Sequence, residues 1–193
     1  MRLDLVVGPN GAGKSTFVRL TLSPVLPRTG LVNADLIAQQ RWPDDPEVHS
    51  YEAARIAAAT REALMARHEP FIAETVFSHP SKLDLLRRAA AAGYYTAVHV
   101  MLVPEALAVA RVTARVAAGG HAVPEEKIRQ RYRRLWPLVA DAIMLGDTAT
   151  VYDNSQRRGP SAVADFSHGF VIGKPLWPDW APEALSLRWP RDA

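Results

Sequence analysis

Cysteine is absent from the 193 residues. That excludes a disulfide framework and any thiolate-held metal or cluster, and it suits a reducing interior. Long apolar runs are missing as well. Nothing approaches the ~20 residues that a membrane-crossing helix needs, so no membrane partner is expected. The chain enters a strand by residue 3 and a glycine-rich turn by residue 8, which leaves no room for a secretion signal and gives a cytoplasmic expectation. A large excess of one charge is also lacking: 23 Lys and Arg against 20 Asp and Glu leave +3. Without a Lys/Arg tract, nucleic acid is not the expected partner; a small anionic substrate is. No second His or Cys stands at ligand spacing from His121, which is read as a loop residue rather than a metal ligand.

What the chain does have is a phosphate cradle. Gly8, Pro9, Asn10, Gly11, Ala12, Gly13, Lys14 and Ser15 fit G-x-x-x-x-G-K-[ST] and follow the apolar run Leu5-Val6-Val7, with Thr16 next. The glycines let successive backbone N–H groups turn inward onto an anion, and Lys14 brings a mobile charge for β- and γ-phosphates. Ser15 is the candidate Mg²⁺ ligand. ATP and Mg²⁺ are the cofactors that this loop implies.

Apolar runs of strand length recur at 3–7, 29–32, 71–76, 96–103 and 148–152, separated mostly by stretches with helical spacing. Helices are predicted over 13–22, 50–67, 80–92, 104–117, 124–136 and 138–145, with Gly93 as a C-cap. This alternation is an α/β pattern: a mainly parallel, five-stranded sheet flanked by helices, with ligands at strand C-terminal ends. Residues 1–173 form the expected domain. Residues 174–193, where prolines interleave with Trp177, Trp180 and Trp189, read as a tail packed on it.

Two carboxylates could work beside the loop. Asp35 ends the run Leu31-Val32-Asn33-Ala34-Asp35, where a substrate hydroxyl would approach the γ-phosphate, and it is the candidate general base. Its competing role is an N-cap for a helix starting near Leu36. Glu74 lies in Phe71-Ile72-Ala73-Glu74-Thr75-Val76, where an ionised side chain is costly unless paired or metal-bound. It is read as holding Mg²⁺ through water or binding a substrate hydroxyl; otherwise it is a strand-end charge in solvent. Thr75 and Ser78 are candidate substrate hydrogen-bonders. Farther on, Arg111 and Arg115 share one helix face, and Ile128, Arg131, Tyr132 and Leu135 share another. With Gly119 and Gly120 between them as a hinge, residues 111–135 read as a helical lid whose cations close on a transferring phosphoryl group.

Taken together, GPNGAGKST (8–16), NAD (33–35), ETVFS (74–78), RVAAGGHAVP (115–124), IRQRY (128–132) and YDNS (152–155) resemble the zeta toxin family, in its compact branch. The resemblance implies a P-loop kinase fold that phosphorylates a hydroxyl with ATP. In best-known members that hydroxyl is the 3′-hydroxyl of UDP-N-acetylglucosamine, and an antitoxin is the possible protein partner. By the same resemblance Lys14 matches the phosphate-binding lysine, Asp35 the base and Glu74 the substrate-binding acid. Arg115 and Arg131 match the phosphate-clamping arginines, with Arg111 or Arg129 as alternates. Two rival readings stay open: a polynucleotide or nucleoside 5′-hydroxyl kinase, and a nucleotide-dependent switch that docks through its Trp/Pro tail.

Overall fold

Strand β1 (Arg2–Val7) is buried from Leu3 onward, as its unbroken apolar sequence requires of a strand covered on both faces. The computed structural model, which describes residues 1–117 and 123–191, pairs β1 in parallel with β3 (Phe71–Thr75) and β4 (Tyr95–Leu102). Strand β2 (Gly30–Asn33) lies outside β3, and β5 (Thr148–Asp153) lies outside β4, both parallel. Register sets Asn33 beside Glu74 and Glu74 beside Val6, so the chemistry-bearing ends of three strands meet at one edge.

The sheet has seven strands rather than the five expected, in the order β2-β3-β1-β4-β5-β6-β7. Strands β6 (Ser161–Ser167) and β7 (Phe170–Ile172) add an antiparallel hairpin beside β5. Its turn is His168-Gly169, both at positive φ (47° and 78°), the conformation that a tight two-residue hairpin favours. A β-carbon at Gly169 would stand 2.7 Å from Met144 Sδ. Ser161, Ala162 and Asp165 dilute the apolar alternation of β6, so its residues do not mark it as a strand.

Helices cover both faces. Helix α1 (Lys14–Phe17) runs through a wider π turn (Val18–Leu22) into α2 (Ser23–Val25). Helix α3 (Ala34–Arg41) follows β2, α4 (Ser50–Ala66) leads to β3, and a 3₁₀ turn (Pro80–Lys82) opens α5 (Leu83–Ala91). Gly93 ends that segment at φ 76°, with Tyr94 N–H returning to the Ala89 carbonyl. Helices α6 (Glu105–Ala117) and α7 (Glu125–Leu145) follow β4.

The predicted break at Pro137 is absent, and α7 is continuous across it. An internal proline costs about 3 kcal/mol. Here the buried stripe Ile128, Tyr132, Leu135, Trp136, Val139, Ala140 and Ile143 runs on both sides of it and offsets that cost. Tyr132 Oη donates to the Val103 carbonyl at 2.9 Å, anchoring α7 to the end of β4. Burial first, then Glu105, pushes its phenol up to about 12, so it stays a donor across physiological pH.

In the last segment, which contains α8 (Glu183–Ser186), Trp177 and Trp189 are buried. Trp177 Nε1 donates to the Trp189 carbonyl at 2.7 Å, and the Trp189 ring meets Phe166 edge-on at 4.8 Å.

A buried ionic cluster lies at the start of the sheet, away from the loop. Asp4 is 1% exposed and accepts from Arg2 (2.7 Å to each carboxylate oxygen) and from His99 Nε2 (2.9 Å). Burial alone would raise its pKa, but the hydrogen bonds from His99 and Arg2 outweigh that and hold it below its usual value. A carboxylate with a depressed folded pKa contributes stability that is present above its unfolded pKa and is lost as pH falls through the folded value. The loss therefore falls below pH ~4. Asp4→Asn should cost about 2–3 kcal/mol at pH 7, because Arg2 is half exposed and recovers solvent. In thermal melts that is a drop of roughly 5–10 °C, with a flatter acid limb than wild type. A melting curve unchanged at both pH 7 and pH 3 would contradict the assignment.

Candidate active site

The loop between β1 and α1 is pressed from three sides, and its glycines answer that crowding. A β-carbon on Gly8 would sit 2.6 Å from the Met101 carbonyl of β4. On Gly11 it would lie 2.5 Å from the Ala108 carbonyl of α6 and 3.3 Å from Arg111 Cβ, so Arg111 stands directly over the loop. On Gly13 it would strike Asn154 Nδ2 at 2.4 Å. Asn154, which follows β5, donates that nitrogen to the Ala12 carbonyl at 2.8 Å and braces the loop. Its role was not read from the residues, since nothing local distinguishes an asparagine after a strand.

Inside the loop, Lys14 Nζ donates to the carbonyls of Gly8 (3.0 Å) and Pro9 (2.9 Å). Burial pushes this ammonium below its ordinary pKa, the carboxylates of Glu74 and Asp35 oppose that, and Arg115 and Arg131 push it further down. The groups whose charge reaches Lys14 thus include both candidate acids and two of the lid arginines.

Glu74 is buried at the end of β3, not a charge in solvent, and its Oε1 accepts from Ser15 Oγ at 2.8 Å. Its Oε2 is buried with no hydrogen-bond partner. An orphaned carboxylate oxygen next to a loop hydroxyl is the donor chemistry of a hard divalent cation, and Mg²⁺ takes only one or two protein oxygens beside phosphate and water. The residues therefore fit Mg²⁺. Among the described residues no group of three or more His, Cys, Asp and Glu side chains forms a fuller metal cage.

Asn33, not Asp35, caps α3: its Oδ1 accepts from the N–H groups of Asp35 (2.7 Å) and Leu36 (3.3 Å). Asp35 is left exposed on the first turn. It borders a cavity of about 320 Å³ shared with Lys14, Glu74, Thr75, Ser78 and Arg131. Phe77, fully buried with φ 64°, lines the same cavity; this costly conformation for an aromatic residue turns the chain between Thr75 and Ser78.

Arg129 does not join this group. It is half-buried, pairs with Glu125 (2.7 Å) and Glu105 (3.0 Å), and does not line the cavity. The hinge residues Gly119 and Gly120, with His121, lie outside the described residues. On the opposite flank of the loop a second cavity of about 290 Å³ is bounded by Thr16, Phe17, Met101, Asn154 and Arg157.

A glycine loop at the end of the first of five parallel strands, with a buried lysine and the acid Glu74 on the adjacent strand β3, defines a P-loop kinase-like fold. The family model described as AAA domain matches residues 3–138, and the chain belongs to that family. An uncharacterized protein of Haemophilus influenzae is 29% identical over 126 residues, which is 65% of this chain and 88% of that protein. AvrRxo1-ORF1:-ORF2, solved with ATP, superposes with a TM-score of 0.70 at 13% identity. The match covers 89% of this chain but only 60% of that one. The PezAT toxin–antitoxin system of Streptococcus pneumoniae gives a TM-score of 0.65 at 15% identity, over 98% of this chain and 84% of that one. Among the described residues no helix is long and apolar enough to cross a membrane.

Proposed function

We propose that this protein is an ATP-dependent kinase that transfers the γ-phosphoryl group to a hydroxyl of a small molecule held in the 320 Å³ cavity. The observation that carries this reading is the lining of that cavity, which gathers Lys14 and Arg131 with the carboxylates of Asp35 and Glu74, the latter bonded to Ser15. Carboxylates are what a hydroxyl acceptor and a metal need, and cations are what phosphoryl oxygens need.

In this reading Lys14 exchanges the Gly8 and Pro9 carbonyls for the β- and γ-phosphates, and backbone N–H groups within residues 10–16 hold the remaining oxygens. Asp35, free of any capping duty, accepts the acceptor proton as the alcohol oxygen bonds to the γ-phosphorus and the bond to the β–γ bridging oxygen breaks. Thr75 and Ser78 orient the acceptor, Arg115 and Arg131 close over the transferring group, and Arg111 covers the loop. Bound Mg²⁺, held by Ser15 and by Glu74, supplies charge neutralisation at the phosphates. The second cavity, with Phe17 on its wall, receives the nucleotide base.

The finer reading follows the zeta toxin resemblance. The acceptor is then the 3′-hydroxyl of UDP-N-acetylglucosamine, the protein works in the cytoplasm, and an antitoxin covers the site. AvrRxo1-ORF1 solved with AvrRxo1-ORF2, and PezAT, a toxin–antitoxin system, support that partner. The test is incubation with γ-labelled ATP, Mg²⁺ and UDP-N-acetylglucosamine, with mass spectrometry of the products. A labelled sugar nucleotide is the expected result. An unlabelled sugar nucleotide, with label entering other compounds of a bacterial extract, overturns this acceptor and leaves the kinase.

A further inference from the structure

A cationic groove adjoins the acceptor cavity and is not used by the reaction as described so far. It is a pocket of about 620 Å³ between α4 and the start of α5, bounded by Arg61, Lys82, Arg87 and Arg88 with Asp84 as its one acid. Ala54 and Lys82 line this pocket and the acceptor cavity alike, so the two spaces are neighbours. On α4, Ser50 and Ala54 border the acceptor cavity, and Ala54, Ala58 and Arg61 border the groove. These positions lie on one helix face, and the alanines keep its floor open. Arg61 stands about 10 Å along the helix from Ala54.

Two of the four cations are already engaged: Arg87 pairs with Asp84 at 2.8 Å and Arg88 with Glu62 at 2.9 Å, all exposed. Arg61 and Lys82 differ. Both are half-buried, and among the described residues neither side chain forms a hydrogen bond or ion pair with an acid. Burial pushes both pKa values down; Glu62 opposes the shift on Arg61 and Arg88 adds to it, while Arg61 depresses Lys82 further. Two cations that line one groove, partly out of water and neither of them in an ion pair, favour an anion that joins them.

Resting on the kinase reading above, we propose that this groove is the anion site of the acceptor. The acceptor carries a phosphate or diphosphate ester that Arg61 and Lys82 grip, while its hydroxyl reaches Asp35 on the other side of Ala54. No bond changes in the groove; it positions the acceptor and selects phosphorylated alcohols over neutral ones.

The test fills the P-loop with Mg²⁺ and a non-hydrolysable ATP analogue, then titrates inorganic phosphate and inorganic pyrophosphate by calorimetry. Nucleotide-filled wild type should bind at least one of these probes. Arg61→Gln and Lys82→Gln should each weaken it roughly tenfold or more, with the affinity for the ATP analogue unchanged. Arg55→Gln, on the exposed side of α4, serves as a charge control and should leave both affinities intact. Melting temperatures separate a ligand site from a structural one: the two groove variants should melt at or above wild type, since each removes a desolvated charge. Absence of probe binding to nucleotide-filled protein, binding indifferent to both groove substitutions, or a large fall in melting temperature in both variants overturns the proposal. Failure of the ATP analogue to bind counts against the kinase reading instead. In that case titration of the Lys14→Ala protein decides the groove: binding retained there and lost with Arg61→Gln supports it, and loss with Lys14→Ala alone overturns it.

Discussion

Lys14→Ala is expected to lower kcat/KM for ATP by about 10³-fold, through loss of two or more charge-assisted contacts to the triphosphate. The lysine is buried and already oriented by two loop carbonyls, so little ordering remains to be done when phosphate arrives. Lys14→Met keeps the stem and should fail equally, which separates charge from packing. Calorimetry with the Mg²⁺-bound, non-hydrolysable analogue should show weak or absent binding in both variants. Binding within a few-fold of wild type would mean that the loop amides alone hold the nucleotide and that Lys14 is a structural tie between Gly8 and Pro9.

Asp35→Ala should do the opposite: nucleotide binding is retained and transfer falls by roughly 10²–10⁴-fold. Because Asn33 supplies the cap, α3 keeps its first turn when Asp35 is lost, and the variant should melt near wild type. The split between binding and transfer also separates the kinase from a nucleotide-dependent switch, which would hydrolyse ATP slowly and label no acceptor whether or not Asp35 is present. Full transfer by Asp35→Ala removes the base role. Glu74 has a different duty in this account, with one oxygen engaged by Ser15 and the other assigned to Mg²⁺.

Much of this arrangement is legible in the residues because it is local. The loop sequence dictates its own backbone, and parallel order follows from alternating strands and helices, which brings the ends of β1, β2 and β3 together without tertiary information. What the sequence hides depends on contacts between distant segments. Asn154 braces Ala12 across 142 positions, and nothing near it signals that duty. Pro137 reads as a helix end until the buried stripe on both sides is known. The hairpin of β6 and β7 is hidden because its strands are half exposed and mixed in character. Arg61 and Lys82, on separate elements, look like ordinary surface cations until both are seen to line one groove. Asp35 shows the reverse case, in which a common local reading, the N-cap, passes to the neighbour two residues earlier.

The central claim is that a phosphoryl group passes from ATP to an alcohol instead of to water. The direct measurement is the fate of the γ-label when wild-type protein, Mg²⁺ and ATP meet a bacterial metabolite extract, resolved into organic ester and inorganic phosphate. The account predicts that most of the label enters an ester, that Asp35→Ala abolishes that product, and that little inorganic phosphate forms when the extract is omitted. Label recovered only as inorganic phosphate, at the same rate with and without the extract, would contradict it.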